Sequence, residues 1–531
     1  MKRIFETLAI CLALGMALSS CQKWEEYNTD PFGVTEDMLA ADYNNIGAYF
    51  PQIMQSVYFN YQDYAWEFQL MQNLTTDLWS GYMGTASAFS SNINTGTLSM
   101  IDGWVSAQWN NTYSYVMAPI FNSIEPQANN DDYYYFYAPA LIIKVMAMHR
   151  VADAYGPVIY SAYGQSATGG VFDSVEEVYD HFFTDLDTAL AQLDKFMTEF
   201  PGSAPFAKFD QWCGGDYVLW SKLANTIRLR LAMHIVKADP AKAKAQAEKA
   251  IANKYGVLEG NEVVQVKAST WAHPLNMLTE WKDIYMGAVL ESLLTGYDDP
   301  RAEKFFTKTS NPSAVEAGLE YASIRMGIDM VEKAAYDGYS SCAQGKHDPG
   351  ILCTASEAYF LRAEGVLRGW NMGGGSAQEF YESGVRSSFE YFGCSGVEEY
   401  LQSNAVPADH KDPVTPANDI KAANTATPKW NDAASNEEKL EKIVIQKYIA
   451  GYPESYEAWT TLRRTGYPKQ FPVIVNHSNG ILGNDDIVRR MPYPSTQQTS
   501  NPEGYSQALS KLGGNDNAAT RLWWDIDKPN F

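Results

Sequence analysis

The chain has 531 residues, 46% of them hydrophobic and 19% charged, with a formal net charge of −23. This composition excludes a mostly disordered protein, and the negative charge disfavours nucleic acid and anionic membrane surfaces as partners, because both repel it. The 34 Tyr, 23 Phe and 14 Trp exceed what a helical core needs and point to carbohydrate or peptide contact.

The chain opens on Lys2-Arg3 and an apolar run from Leu8 to Leu18. A bilayer span needs about 20 apolar residues, so this shorter run predicts a secretory signal over residues 1–20. Its site, Leu18-Ser19-Ser20-Cys21, ends in Cys rather than Ala-x-Ala and resembles the lipobox of bacterial lipoproteins. The resemblance implies that Cys21 is acylated and heads the mature chain. Residues 21–35 then read as a lipidated tether, with one α-helical domain over 36–531. Acidic residues soon after Cys21 also resemble the export tag of surface-displayed lipoproteins. Loss of residues 1–20 removes Lys2, Arg3 and Glu6 and takes the charge from −23 to −24. Of the remaining cysteines, Cys342 and Cys353 share a loop rich in turn residues and either close it as a disulfide or stay as free thiols.

Helical pairs follow. Tyr137 to Tyr155 is apolar over most of its surface and stops at Gly156-Pro157. Ser174 and Glu177 have the spacing of a capping box, and Val178, Phe182, Leu186, Ala189, Leu190 and Leu193 follow at helical period. A second pair runs from Asp216 to Val236 and, after Asp239-Pro240, from Ala241 to Asn253. A third runs from Thr354 to Arg368 and, after Gly373-Gly374-Gly375, from Ser376 to Phe392. Helix–turn–helix units with small residues at their crossings resemble tetratricopeptide repeats. The expected fold class is therefore mainly α, a tetratricopeptide-like helix-pair scaffold with large irregular loops and few short strands. Those loops are Ser80–Asp102, Glu259–Trp281, Asp337–Gly350 and Gln402–Glu438, and loops of such length are usually functional or disordered.

Catalytic signatures are missing. No His is followed by Glu in a zinc helix, and there is no Gly-x-Ser-x-Gly elbow or phosphate loop. The acidic pairs Asp131-Asp132, Asp298-Asp299 and Asp485-Asp486 read as turn or helix-capping residues, since glycoside hydrolysis needs carboxylates facing each other across a cleft. The Asp485-Asp486 and Asn515-Asp516-Asn517 loops lack the acid spacing of a known calcium loop. No catalytic residue, cofactor or metal is expected.

The C-terminal third carries a specific pattern: Ser356 to Glu364, Ile445 to Ala450, Tyr456 to Pro468, Arg489-Arg490-Met491-Pro492-Tyr493-Pro494, and Asn501. In this order these segments resemble the SusD/RagB family of outer-membrane nutrient-binding lipoproteins. Ala152 to Tyr160 and Asp299-Pro300-Arg301 resemble the same family, so the likeness spans the mature chain. One departure is Gln497, where the family usually carries Glu. The resemblance implies a non-catalytic, lipid-anchored, surface-exposed protein of the outer membrane. It would capture an oligosaccharide and deliver it to a SusC-like TonB-dependent transporter, with the repeat helices facing that transporter. The alternatives are a peptide-capturing relative and a surface glycan-active enzyme. Trp459, Arg463, Arg464 and Tyr493 read as core or ion-pair residues rather than ligand contacts. Family binding sites lie on loops in the N-terminal region and the middle of the chain. Loop position and residue type then select Asp77, Trp79, Tyr82, Trp271, His273, Tyr336 and Tyr339 as ligand-binding candidates.

Overall fold

The computed structural model describes residues 40–58, 65–166, 169–267 and 272–531. The signal, Cys21, the tether and Trp271 lie outside the described residues. Two compact units divide at Ala48. The described part of the first contains a short helix, Asn44–Gly47; the second, Tyr49–Phe531, carries the scaffold.

The scaffold is built from α1 (Tyr134–Tyr155), α2 (Val175–Glu199), α3 (Tyr217–His234), α4 (Pro240–Ala252), α5 (Ala355–Leu367), α6 (Ala377–Phe392), α7 (Asn436–Ala450) and α8 (Ser455–Thr465). The protein is mainly α, as expected. Helix α1 packs on α2, α3 on α4 and α5 on α6; α2 also meets α3, α3 meets α5, and α5 meets α7. Stacking of this kind gives successive pairs one continuous core. The helix starts follow local chemistry. Ser174 with Glu177, Ser376 with Glu379 and Ser435 with Glu438 form reciprocal capping boxes, while Asp216, Asp239 and Thr354 cap α3, α4 and α5. Helix α1 begins at Tyr134, three residues before the expected start at Tyr137, and ends at Tyr155 as expected. Its first turn buries Tyr134, Tyr135 and Tyr137, with the Tyr135 ring 4.4 Å from Phe196 of α2. At the α5–α6 crossing a side chain on Gly384 would meet the Phe360 ring at 2.8 Å, and the Ser356 hydroxyl donates to the Gly384 carbonyl at 2.7 Å. The small residues there permit that approach.

The strands are short. Strand β1 (Met83–Thr85) pairs antiparallel with β3 (Ile284–Met286), Met83 opposite Met286. Strand β2 (Val263–Val266) pairs antiparallel with β4 (Gly350–Thr354), with a register shift between Val264 and Gln265. The Glu259–Trp281 loop thus contains a strand and also a helix, Pro274–Glu280, that its irregular composition conceals. Cys213, Cys342, Cys353 and Cys394 are all free thiols.

Charged residues lie inside the scaffold. Arg230 on α3 grips Glu357 on α5 through Nε (2.7 Å) and Nη2 (2.6 Å). Glu364 on α5 receives Arg464 of α8 at 2.6 and 2.7 Å and Arg368 at 2.8 Å. These two guanidinium groups hold the buried Glu364 carboxyl down at about 2, against the opposing effect of burial. Lys447 of α7 bonds Glu457 of α8, and Arg150 of α1 bonds Glu454. His234 joins them: Nε2 donates to Glu457 at 2.9 Å, and Nδ1 lies 3.0 Å from the Tyr179 hydroxyl, which itself donates to Asp153 at 2.7 Å. Both ring nitrogens therefore act as donors, the arrangement of an imidazolium. Burial opposes that charge, but Glu457 and Asp153 outweigh it and raise the His234 pKa.

A raised native pKa adds stability that is complete below the unfolded value of about 6.5 and disappears as pH climbs through the native value. Asp153 and Glu457 are held below their ordinary values, so they stay ionised throughout this range. The stability gap between the native protein and His234→Gln, read from denaturant unfolding, should be widest at pH 6 and narrow steadily towards pH 9.

Candidate ligand-binding loops

The sequence-selected residues lie where loops meet the scaffold. Asp77 ends a π-helical stretch, Gln69–Asp77, and accepts from Gln72 Nε2 at 3.1 Å and Asn73 Nδ2 at 3.2 Å. Burial dominates and pushes its carboxyl up to about 6. Next to it, the Thr76 hydroxyl meets Ser455 of α8 at 2.7 Å. The Trp79 ring sits 5.1 Å from Trp459, and its indole N–H donates to the Thr95 carbonyl at 3.2 Å. The Tyr82 ring lies 4.4 Å from Tyr448, whose carbonyl accepts its hydroxyl. His273 caps the helix Pro274–Glu280, its Nδ1 accepting from the Leu275 N–H at 3.2 Å, and burial lowers its pKa to about 3. A neutral ring is what that acceptor role requires. Tyr336 and Tyr339 pack edge-to-face at 5.2 Å in a small core with Tyr285 and Ile324, and Tyr339 donates to Asp412 at 3.0 Å.

All six side chains are at most 3% exposed. In this arrangement they pin the loops from beneath. Trp79 lines a pocket of about 200 Å³ rimmed by Lys469, Gln470, Asn484 and Asp485, and Tyr82 borders a smaller cavity inside the scaffold. Within the scaffold, a cavity beside Arg230, Lys447 and Glu457 has only about 30 Å³, too little for a sugar ring.

The exposed rings belong to neighbours in the same loops. Trp66 is 51% exposed and Trp281 is 39% exposed. Phe89 and Trp104 are half-buried and pack edge-to-face at 5.8 Å. Asp283 connects the segments that carry Trp66, Phe89 and Trp281. Its carboxylate accepts from Gln69 Nε2 at 3.0 Å, Ser87 Oγ at 2.8 Å and Lys333 Nζ, and Lys333 also donates to the Trp281 carbonyl at 2.9 Å. One buried acid thus sets the spacing of several loops and holds a half-exposed ammonium beside Trp281. The backbone is also constrained here. Ser90, Ser91 and Asn92 have φ of 53°, 56° and 64°, and Lys282 has 56°. Left-handed non-glycine residues cost energy and gather at ligand clamps and switches. Asn92 Nδ2 donates to the Ile328 carbonyl at 3.1 Å, and a capping box at Asn94 and Thr97 follows. Gly84 is required by close approach: a Cβ there would meet Ile324 at 2.6 Å.

Residue type and loop position reach these loops from sequence but not the exposed rings. A Trp beside a charge, as in Trp66-Glu67 and Trp281-Lys282, is no signal for exposure, because Trp524-Asp525 has the same pattern and its ring is fully buried. Two of the acidic pairs have structural roles: Asp299 is buried and chelates Arg301 at 2.9 and 2.6 Å, and Asp486, in a turn as expected, accepts the Gly483 N–H at 2.6 Å. Arg463, Arg464, Trp459 and Tyr493 are buried, with the Arg463 guanidinium 3.4 Å from the Trp459 ring centre.

The SusD-like family profile, described as Susd and RagB outer membrane lipoprotein, matches residues 26–525. A chitin-binding SusD homologue from Flavobacterium johnsoniae is 40% identical with a TM-score of 0.87, over 91% of this chain and 99% of its own. A SusD homologue from Bacteroides vulgatus is 37% identical with a TM-score of 0.88, over 93% and 100%. One from Bacteroides uniformis is 35% identical with a TM-score of 0.84, over 91% and 99%. No functionally curated protein matches the chain. The chain belongs to the SusD-like family.

Burial separates the two classes of tryptophan. Trp79→Ala should cost about 3–5 kcal/mol, as for large aromatic truncations in a core, whereas Trp281→Ala should stay within about 0.5 kcal/mol. Thermal unfolding of both variants checks the contrast.

Proposed function

We propose that this SusD-like protein is a non-catalytic lipoprotein of the cell surface that captures oligosaccharide on its loop layer and delivers it to a SusC-like TonB-dependent transporter. The observation that carries the reading is the set of exposed and half-exposed rings, Trp66, Phe89, Trp104 and Trp281, held by loops tied to a rigid helical frame. Sugars present apolar C–H faces that lie flat on such rings, and a ring has only two side-chain torsions to lose. Lys333 and Asp337 supply polar groups for the hydroxyl rim, with Asp337 held by Lys282 at 3.0 Å. The chitin-binding relative supports a glycan as ligand. Trp271 stays a proposed contact by residue type and loop position, while Asp77, Trp79, Tyr82, His273, Tyr336 and Tyr339 serve the site as its frame.

Delivery to a transporter is supported by the family resemblance and by a lipid on Cys21, which would hold the domain beside the pore. Among the described residues no helix is long and apolar enough to cross a membrane, and membrane attachment is assigned to that lipid. The helix pairs away from the loops offer the surface for the transporter.

Titration calorimetry with N-acetylglucosamine oligomers, other neutral oligosaccharides and short peptides tests the reading. Trp281→Ala should weaken oligosaccharide binding by about tenfold or more, the effect of losing an aromatic anchor, with the melting temperature unchanged. Binding of peptides alone, or steady release of shorter sugars, would replace this function. Cys21→Ala should abolish stable membrane retention in cell fractionation and leave ligand binding by the released domain intact.

A further inference from the structure

The geometry points to a second saccharide-binding subsite, in a cleft that shares no residue with the loops around Asp283. It rests on the proposed glycan ligand but not on the proposed location. The cleft holds about 510 Å³ and is lined by Tyr113, Phe121, Asn122, Tyr163, Gln497 and Ser500, among others. This size is within the range of small-ligand sites.

Its rings form a graded series from core to solvent. Trp109 is buried and lies 4.8 Å from Tyr113. Tyr113 stacks on Tyr163 at 5.7 Å with an interplanar angle of 24°, and Phe121 meets Tyr163 edge-on at 5.5 Å. Phe121 is 36% exposed. The Tyr113 hydroxyl is fully engaged, donating to the Ile159 carbonyl at 2.9 Å and accepting the Ile159 N–H at 3.0 Å. Its ring is thereby locked in place. Gly164, at φ 74°, passes so close to Phe121 that a Cβ would sit 2.3 Å from the ring. The chain is shaped there to keep the aromatic wall in position.

The polar rim is neutral. Among the described lining residues none carries a charge, which is notable in a chain of −23. The side-chain amides of Asn122 and Gln497 have no hydrogen-bond partner among the described residues, so each offers both a donor and an acceptor to a ligand. An aromatic wall with unengaged amides at its edge matches a neutral sugar, which has an apolar face and a hydroxyl rim. An acidic sugar or a nucleotide would find no cation here. Gln497 places an uncharged amide on this rim. The helix Ser495–Ser500 is also anchored: the Ser495 N–H and hydroxyl bind Asp102 at 2.9 and 2.8 Å. This places the cleft wall against the segment that bears Trp104.

The test is titration calorimetry of the full chain with N-acetylglucosamine tetramer, cellotetraose and a neutral tetrapeptide. The proteins are the native chain, Trp281→Ala, Gln497→Ala and the double variant Phe121→Ala/Tyr163→Ala. Two equivalents of one tetrasaccharide are expected per native chain. Trp281→Ala should retain the cleft equivalent, and the double variant should lose it, with Gln497→Ala weakening it about tenfold. Gln497→Ala decides the result if the double variant fails to fold. One saccharide equivalent that the cleft variants leave unchanged overturns the subsite and leaves the loop reading standing. Saccharide binding lost only in the cleft variants supports the subsite and overturns the loop location. No saccharide bound by the native chain, or only the tetrapeptide bound, overturns the subsite.

Discussion

The buried ion network is the constraint on which the rest of the structure depends. Glu457 is shared by His234 and Lys447, Glu364 by Arg464 and Arg368, and Glu357 is gripped by Arg230. Together these contacts tie α3, α5, α7 and α8, and Asp153 with Tyr179 brings in α1 and α2. A buried charge that loses its partner costs several kcal/mol, while the intact pair adds little net stability. An alternative register of the helices would strand these charges in the core, which disfavours it.

That constraint matters because the loops take their positions from the same helices. Thr76 meets Ser455, Trp79 packs on Trp459, and Tyr82 bonds the backbone of Tyr448. The loop layer is thus fastened to α7 and α8, the helices that carry Lys447, Glu457 and Arg464. Residues that bind ligand work best when their supports are already fixed. The division of labour is visible along short stretches of chain. Asp283 and Gln69 lie buried while Trp281 and Trp66 are exposed, so the anchor and the exposed ring are separated by only a few residues.

The two aromatic surfaces differ in electrostatics. The loop face pairs Lys333 with Asp283 and Lys282 with Asp337 near Trp281, whereas the cleft beside Tyr113 and Tyr163 has neutral lining among the described residues. In a strongly acidic protein, both arrangements avoid an unbalanced field at the ligand. A neutral glycan requires no charge to bind, and an acidic one is repelled by the body as a whole.

The helix pairs are legible in the amino-acid sequence, because caps, helical periodicity and Pro or Gly stops are local signals. Ser174 with Glu177 and Ser376 with Glu379 begin helices in the structure as their spacing dictates. The family is legible there as well, through motifs such as Trp459, Arg463 and Arg464 that hold the core together. Which aromatic residues face solvent depends on long-range packing. Trp79 and Trp281 are alike as residue types, but Trp79 packs against Trp459 and is buried, while Trp281 is not. The strand β2 and the helix after His273 were hidden for the same reason: β2 depends on a partner at Gly350–Thr354, far along the chain. Exposure and long-range pairing are properties of the assembled chain, and no local pattern of residues encodes them.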